Sequence, residues 1–239
     1  MAEVQRINPD WAGEPCIVAA PGPSLTDDVV AVCRKKRWFD RWRIVAVQDA
    51  YRLMPFADAL YGCDEHWWHI HKDCAKFAGE KWSTHHDTEN TKLAVADAYG
   101  VRLVNGENGD TFSRDPGLIR YGSNSGFQAL NLALLKGCTR IVLVGFDMRR
   151  VDGQAHFFGE HPAPCHNRAD YTEFSKRFET AARHLPADVS IVNATPGSAL
   201  RAFPLVSLED AIADSPGRQD DLLHRDWAVG YAAAGPGCA

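Results

Sequence analysis

Hydrophobic positions in this chain fall into short runs separated by amphipathic stretches. Residues 16–20 (CIVAA) are apolar and end in Pro21-Gly22-Pro23-Ser24, the pattern of a buried strand entering a turn. Thr26 then offers an N-cap, and Asp27 and Asp28 first-turn acids, to a helix reaching about Arg37. Residues 43–48 and 57–63 read as two further strands. Residues 65–78 read as a helix with Trp67, Ile70, Cys74 and Phe77 on one face. Strands are expected at 81–85 and 101–104, followed by a Gly/Asn/Asp-rich loop over 105–122.

The clearest unit comes next. Ser123 or Asn124 caps a helix with Phe127, Leu130, Leu134 and Leu135 on its apolar face, and Gly137 stops it. Residues 139–144 (TRIVLV) form a continuous β-branched run, as in a strand covered on both faces of a parallel sheet. A polar loop over 148–168, a charged helix over 169–184 and a strand over 189–193 complete the series.

Strands alternating with helices predict an α/β fold: a single Rossmann-like domain with a mostly parallel open sheet and helices on both faces. It is expected to span residues 15–213, after an N-terminal extension (1–14) and before a flexible tail (214–239). In such sheets ligands sit beyond the carboxyl ends of the strands.

Composition narrows the classes. Of 239 residues 45% are hydrophobic and 24% charged, so the bulk of the chain is not disordered. A net charge of -5 argues against a nucleic-acid partner, and the longest apolar runs are too short for a membrane span. No basic start followed by an apolar stretch opens the chain, so the expected compartment is cytoplasmic. The seven cysteines, an odd number in a long chain, argue against a disulfide framework. Nine of the ten histidines fall between His66 and His184. Cys63, His66, His69, His71 and Cys74 match no standard zinc spacing, and no metal site is expected from them.

Candidate chemistry lies at the strand ends. Gly22, Pro23 and Ser24 sit where backbone N–H groups and a helix N-terminus hold a phosphate, or form a plain turn. The turn has neither the P-loop lysine nor G-x-G-x-x-G. Residues 121–126 (YGSNSG) gather hydroxyl and amide groups before the best helix, for capping or for an anion. His156 and His161, in HFFGEH, sit in a loop over the binding edge, where a general base or proton relay would stand. Asp147 closes its strand. No G-x-S-x-G elbow is present.

AAPGPSL at 19–25, NSGFQALNLALLKGCTRIVLVGFD at 124–147, HFFGEH at 156–161 and VNATPGSAL at 192–200 occur in one order. That order resembles the bacterial sialyltransferase family related to the Campylobacter lipooligosaccharide enzymes. It is also similar to 6-hydroxymethylpterin diphosphokinase MptE-like domains, and to proteins common in phages and prophages. The resemblance implies a nucleotide-sugar donor, CMP-linked by preference, over Gly22, Pro23 and Ser24. It implies donor contacts from Ser125, Gly126 and Asp147. A loop histidine would act as base on an acceptor hydroxyl: His161 is the better match, although Glu160 intervenes, and His156 is the alternative.

The chain departs from that pattern in three places. Pro21 replaces the family's Asn, Gln48 or Asp49 stands for the Asn after the second strand, and Arg149 and Arg150 stand where the family has tyrosines. An Arg binds phosphate bidentately, so Arg149 is expected to take that role. The rival implied function is diphosphate transfer from ATP with Mg2+, held by Asp147 and Asp64. A third reading is a non-catalytic nucleotide-binding phage accessory protein. The sequence leaves homo-oligomerisation open.

Overall fold

A computed structural model describes residues 3–85, 90–162 and 169–213. Cys165, His166 and the tail from 214 lie outside these residues. Eight strands form one open, all-parallel sheet: β1 (Cys16–Ala19), β2 (Arg43–Val47), β3 (Ala59–Tyr61), β4 (Glu80–His85), β5 (Arg102–Glu107), β6 (Leu118–Arg120), β7 (Arg140–Val144) and β8 (Ser190–Asn193). Their spatial order is β6-β5-β4-β3-β2-β1-β7-β8. The chain winds outward from β1 to β6, then returns to place β7 on the other side of β1. The order therefore reverses between β1 and β7, the switch point beyond whose carboxyl ends ligands sit in sheets of this kind.

The helices are α1 (Asp27–Phe39), α2 (Glu65–Ile70), α3 (Asn90–Tyr99), α4 (Ser125–Leu135), α5 (Tyr171–Ala182) and α6 (Leu208–Ile212). They cover both faces. Ile17, Ala19, Ile44 and Leu60 face one core with α1, α2, α3 and α6. Their strand neighbours Cys16, Val18, Val45 and Ala59 face the other, with α4 and α5. This alternation is why β1 and β7 read as unbroken apolar runs: each side chain has a helix to bury against. Ile7 and Trp11, ahead of β1, are buried in the second core, and Trp11 N–H donates to Lys136 O at 2.9 Å. Among the described residues, no helix is long and apolar enough to cross a membrane.

Caps fall where short polar side chains precede the helices. Thr26 Oγ1 accepts from Val29 N, and Asn124 rather than Ser123 accepts from Phe127 N. Gly137, at φ +95°, ends α4. Two stretches differ from expectation. Residues 65–78 are not one helix: α2 ends at Ile70, His71 turns out of the helical region (φ −94°, ψ 55°), and a 3-10 turn spans Lys72–Lys76. The stretch 105–122 is not all loop. β5 continues to Glu107 and β6 pairs beside it, despite the polar and glycine residues, because each gains a parallel neighbour at the sheet's end. Helix α3 went unread; its Val95 and Ala96 are buried against the sheet.

Candidate functional site

The segments that follow β1 and β7 approach each other closely. A Cβ at position 22 would lie 2.1 Å from Asp147 Oδ2 and 2.3 Å from Gly145 O, so only glycine fits. Ser24 donates to Asp147 Oδ2 twice, from its N–H (3.2 Å) and its hydroxyl (2.8 Å). The structure thus brings together Gly22, Ser24 and Asp147, which the sequence separates by more than a hundred positions. Asp147 is buried, and its Oδ1 has no hydrogen-bond partner among the described residues. Past it, Phe146 N–H donates to Thr195 Oγ1 and Ser198 Oγ donates to Phe146 O, tying the turn after β8 to the same edge. Arg149 Nε donates to Gly197 O at 2.8 Å, which places this exposed guanidinium over that turn.

The end of β2 carries the densest chemistry. Gln48, at φ +44°, starts a 3-10 turn (Gln48–Arg52) that drives Asp49 inward until it is 1% exposed. Trp67 Nε1 donates to Asp49 Oδ2 at 2.8 Å, and Arg52 donates to Oδ1 at 3.4 Å. Two imidazoles approach the same carboxylate, one on each oxygen. His71 Nε2 lies 3.4 Å from Oδ1 and His161 Nδ1 lies 3.6 Å from Oδ2. Neither makes an aligned hydrogen bond, and both nitrogens are buried. His71 reaches this position because the helix breaks there, and its ring stacks on Trp67 (centroids 4.7 Å, planes 27° apart).

His161 arrives from the opposite side on the loop after β7. His156 and Gly159 exchange backbone hydrogen bonds, and Phe157 N–H donates to Pro21 O at 3.0 Å. The histidine hairpin is therefore docked on the Gly22–Ser24 turn. Arg150 and Glu160 pair across its base. His156 and His161 sit with ring centroids 4.6 Å apart, beside Phe158. Burial pushes the His156 imidazole from 6.5 down to about 4, helped by His161 and opposed by Asp49 and Glu160. Burial also lowers His161, with His71 adding to the effect and Asp49, Asp64 and Glu160 opposing it. Both rings are accordingly neutral near pH 7, the form a general base needs.

A third group lies at the start of α4. Gly122 and Ser123 both have positive φ (51° and 63°) and swing the chain into the helix. Ser125 is buried, with Oγ 2.9 Å from Cys63 Sγ at the end of β3. Gly126 lets α4 close on Phe146, since a Cβ there would meet that ring at 2.8 Å. Asp64 caps α2 by accepting from His66 N–H at 2.8 Å.

The five residues considered for zinc have separate partners: Cys63 faces Ser125, His66 Asp64, His69 Tyr99 and Glu65, and His71 Asp49, while Cys74 is buried in the core. Among the described residues, no three His, Cys, Asp or Glu side chains are placed to hold a metal ion. Sequence reasoning missed Arg52, Trp67 and the grouping of His71 with Asp49. The available signal was the i, i+4 spacing of Trp67 and His71, which puts both on the face turned toward the β2 end. A scan of the sequence against protein-family models finds no match, and a search of curated proteins finds none.

Proposed function

We propose that the chain is a nucleotide-sugar-dependent glycosyltransferase in which His161 is the general base. One observation carries this reading: His161 Nδ1 faces the buried Asp49 carboxylate while its loop is docked on the Gly22–Ser24 turn. A carboxylate at Nδ1 favours the tautomer with the proton on that nitrogen, leaving the Nε2 lone pair for an acceptor hydroxyl. At 3.6 Å the pair is longer than a formed hydrogen bond, as catalytic contacts often are in the absence of substrate. Nε2 takes the acceptor proton as the acceptor oxygen bonds to the anomeric carbon. The bond from that carbon to the phosphate oxygen breaks, and the nucleotide leaves with the electron pair. The exposed guanidinium of Arg149 is the donor for the phosphate, since the N–H groups of Gly22 and Ser24 are already given to Gly145 O and Asp147 Oδ2 and Pro23 has none. A CMP-linked sugar is the favoured donor. Ser125, Gly126 and Asp147 line the nucleotide side, and Asp49 acts through the histidines.

The unpartnered Oδ1 of Asp147 favours a second reading. A buried carboxylate oxygen beside a phosphate turn suits a divalent cation, as ATP-dependent diphosphate transfer requires. Thermal shift with CMP, a CMP-sugar, UDP, GDP and ATP, each with and without Mg2+, separates the two. CMP or its sugar is expected to stabilise the fold without metal, by about 2.7 kcal/mol at a hundredfold excess over Kd. Stabilisation by ATP with Mg2+ alone overturns the glycosyltransferase reading in favour of the kinase-like one. No response to any nucleotide leaves the accessory-protein reading.

A further inference from the structure

We infer that His71 is a positioning residue of the same site, sharing the Asp49 carboxylate with His161 so that only one of the two imidazoles holds an extra proton at a time. This rests on His161 being the base. The geometry behind it is the two-sided approach to one carboxylate, His71 at Oδ1 and His161 at Oδ2, with the carboxylate 1% exposed. Water is excluded, so charges there act on one another with little screening. Asp49 supplies one negative charge. Arg52, half-exposed and 3.4 Å from Oδ1, already answers part of it. A second imidazolium would leave positive charge in excess inside the site.

Two further carboxylates favour a charged His161 but lie outside the shared contact: Glu160 is paired with Arg150, and Asp64 caps α2 beside His66. His161 also faces Asp64 from the end of β3 and His156 and Glu160 from its own hairpin. His71 otherwise meets rings: Trp67 stacked beneath it and Tyr51 edge-on, with centroids 6.2 Å apart. Each imidazole packs against rings, His71 against Trp67 and Tyr51 and His161 against His156 and Phe158, which favours its place beside Asp49. His71 accordingly sets how strongly His161 accepts the acceptor proton. While His71 is charged, His161 stays neutral and ready; once His71 is neutral, the whole of the Asp49 charge supports the His161 imidazolium.

Imidazole nitrogen NMR of the full chain, titrated with pH in the absence of substrate, tests this directly. In the wild type the His161 signal is expected to move in two steps, one coinciding with the step of His71. In His71→Gln it is expected to move in one step, with its midpoint raised by about one pH unit because the competing cation is gone. In Asp49→Asn the midpoint is expected to fall below the wild-type value. A wild-type His161 curve with one step independent of His71 overturns the inference, as does an identical His161 curve in wild type and His71→Gln. If His71→Gln fails to fold, the wild-type curve alone decides. The base assignment is judged separately: coupled titration together with full transfer activity in His161→Ala would leave the sharing intact and overturn the function.

Discussion

The two edges of the sheet both bury charge, and they treat it in opposite ways. At the amino edge, Lys136 is 1% exposed and ends between Asp10 (3.0 Å) and Glu80 (2.7 Å), under the rings of Trp11 and Trp82. Arg43 pairs with Glu14 and Asp58, Arg37 also reaches Asp58, and Arg102 closes on Glu80. At the carboxyl edge, Asp147 Oδ1, His71 Nε2 and His161 Nδ1 are buried without aligned partners. Gln48, Ser123 and Met148 hold positive φ there. Buried polar groups are normally satisfied, and strained backbone persists only where the surroundings impose it. The amino edge is a clamp that joins strand starts; Arg37 Nε is buried there without a partner and Arg41 holds positive φ, but its carboxylates and Lys136 are paired. The carboxyl edge holds unused hydrogen-bonding capacity, as a site awaiting a ligand does.

That contrast can be broken by variants that act on one edge alone. His161→Ala is expected to lower transfer by about 10²–10⁴-fold while shifting unfolding free energy by less than about 1 kcal/mol. Turnover assays beside urea unfolding check both halves. Lys136→Ala is expected to do the reverse, removing about 1–3 kcal/mol of stability because it empties the space under Trp11 and Trp82 and leaves Glu80 to Arg102 and Trp82 alone. Nucleotide affinity of the fraction still folded should be unchanged; a loss of affinity there would mean the edges are coupled. Gly22→Ala is expected to weaken nucleotide binding and to destabilise by about 1–3 kcal/mol, since the new methyl must displace Asp147 or the Gly145 carbonyl. Calorimetric titration with the nucleotide that stabilises the wild type reads the first effect.

The smallest and sharpest test is pH. His156 is depressed in the folded state, so the unfolded chain binds its proton first. Its contribution is full above 6.5 and is lost as pH falls toward about 4. His156→Gln should flatten the stability curve in that window. Glu80 at the other edge is pushed up by burial but pulled below its ordinary value by Lys136, Trp82 and Arg102 together. Its contribution is present above the ordinary carboxylate range and is lost as pH falls through the lowered value. Glu80→Gln should therefore lower the neutral plateau of the same urea series and remove its share of the fall on the more acidic limb.

The sheet was largely legible in the chain because its central strands are covered on both faces and carry unbroken apolar runs. β1, β2, β7 and helix α4 lie close to where pattern places them. The peripheral elements were less so. β6 is three residues long, only its middle residue Ile119 is buried, and its pairing with β5 supplies what its sequence does not. The site was legible in parts: Ser24, Asp147 and the histidine loop were found from strand ends. Asp49 was found as a position, but its surroundings were not. Local spacing sets Trp67 and His71 side by side, but nothing local says that His161 joins them at Asp49, since it comes from another connection on a different side of β2's end. Helical periodicity places Trp67 in the core and misses that one edge of its ring is a hydrogen-bond donor.

The place of β1 has a consequence for how the chain is made. On one side Cys16 pairs with Arg43, which leaves the ribosome soon after it; on the other it pairs with Ile141, which emerges only when more than half the protein has been synthesised. Until then the nascent sheet presents an unpaired, wholly apolar strand edge to the cell, the kind of surface that captures stray strands. Ser24 waits equally long for Asp147. Slow, late closure of long-range parallel pairing is thus built into the making of this edge, and early chain arrest would leave the end of β1 without Asp147.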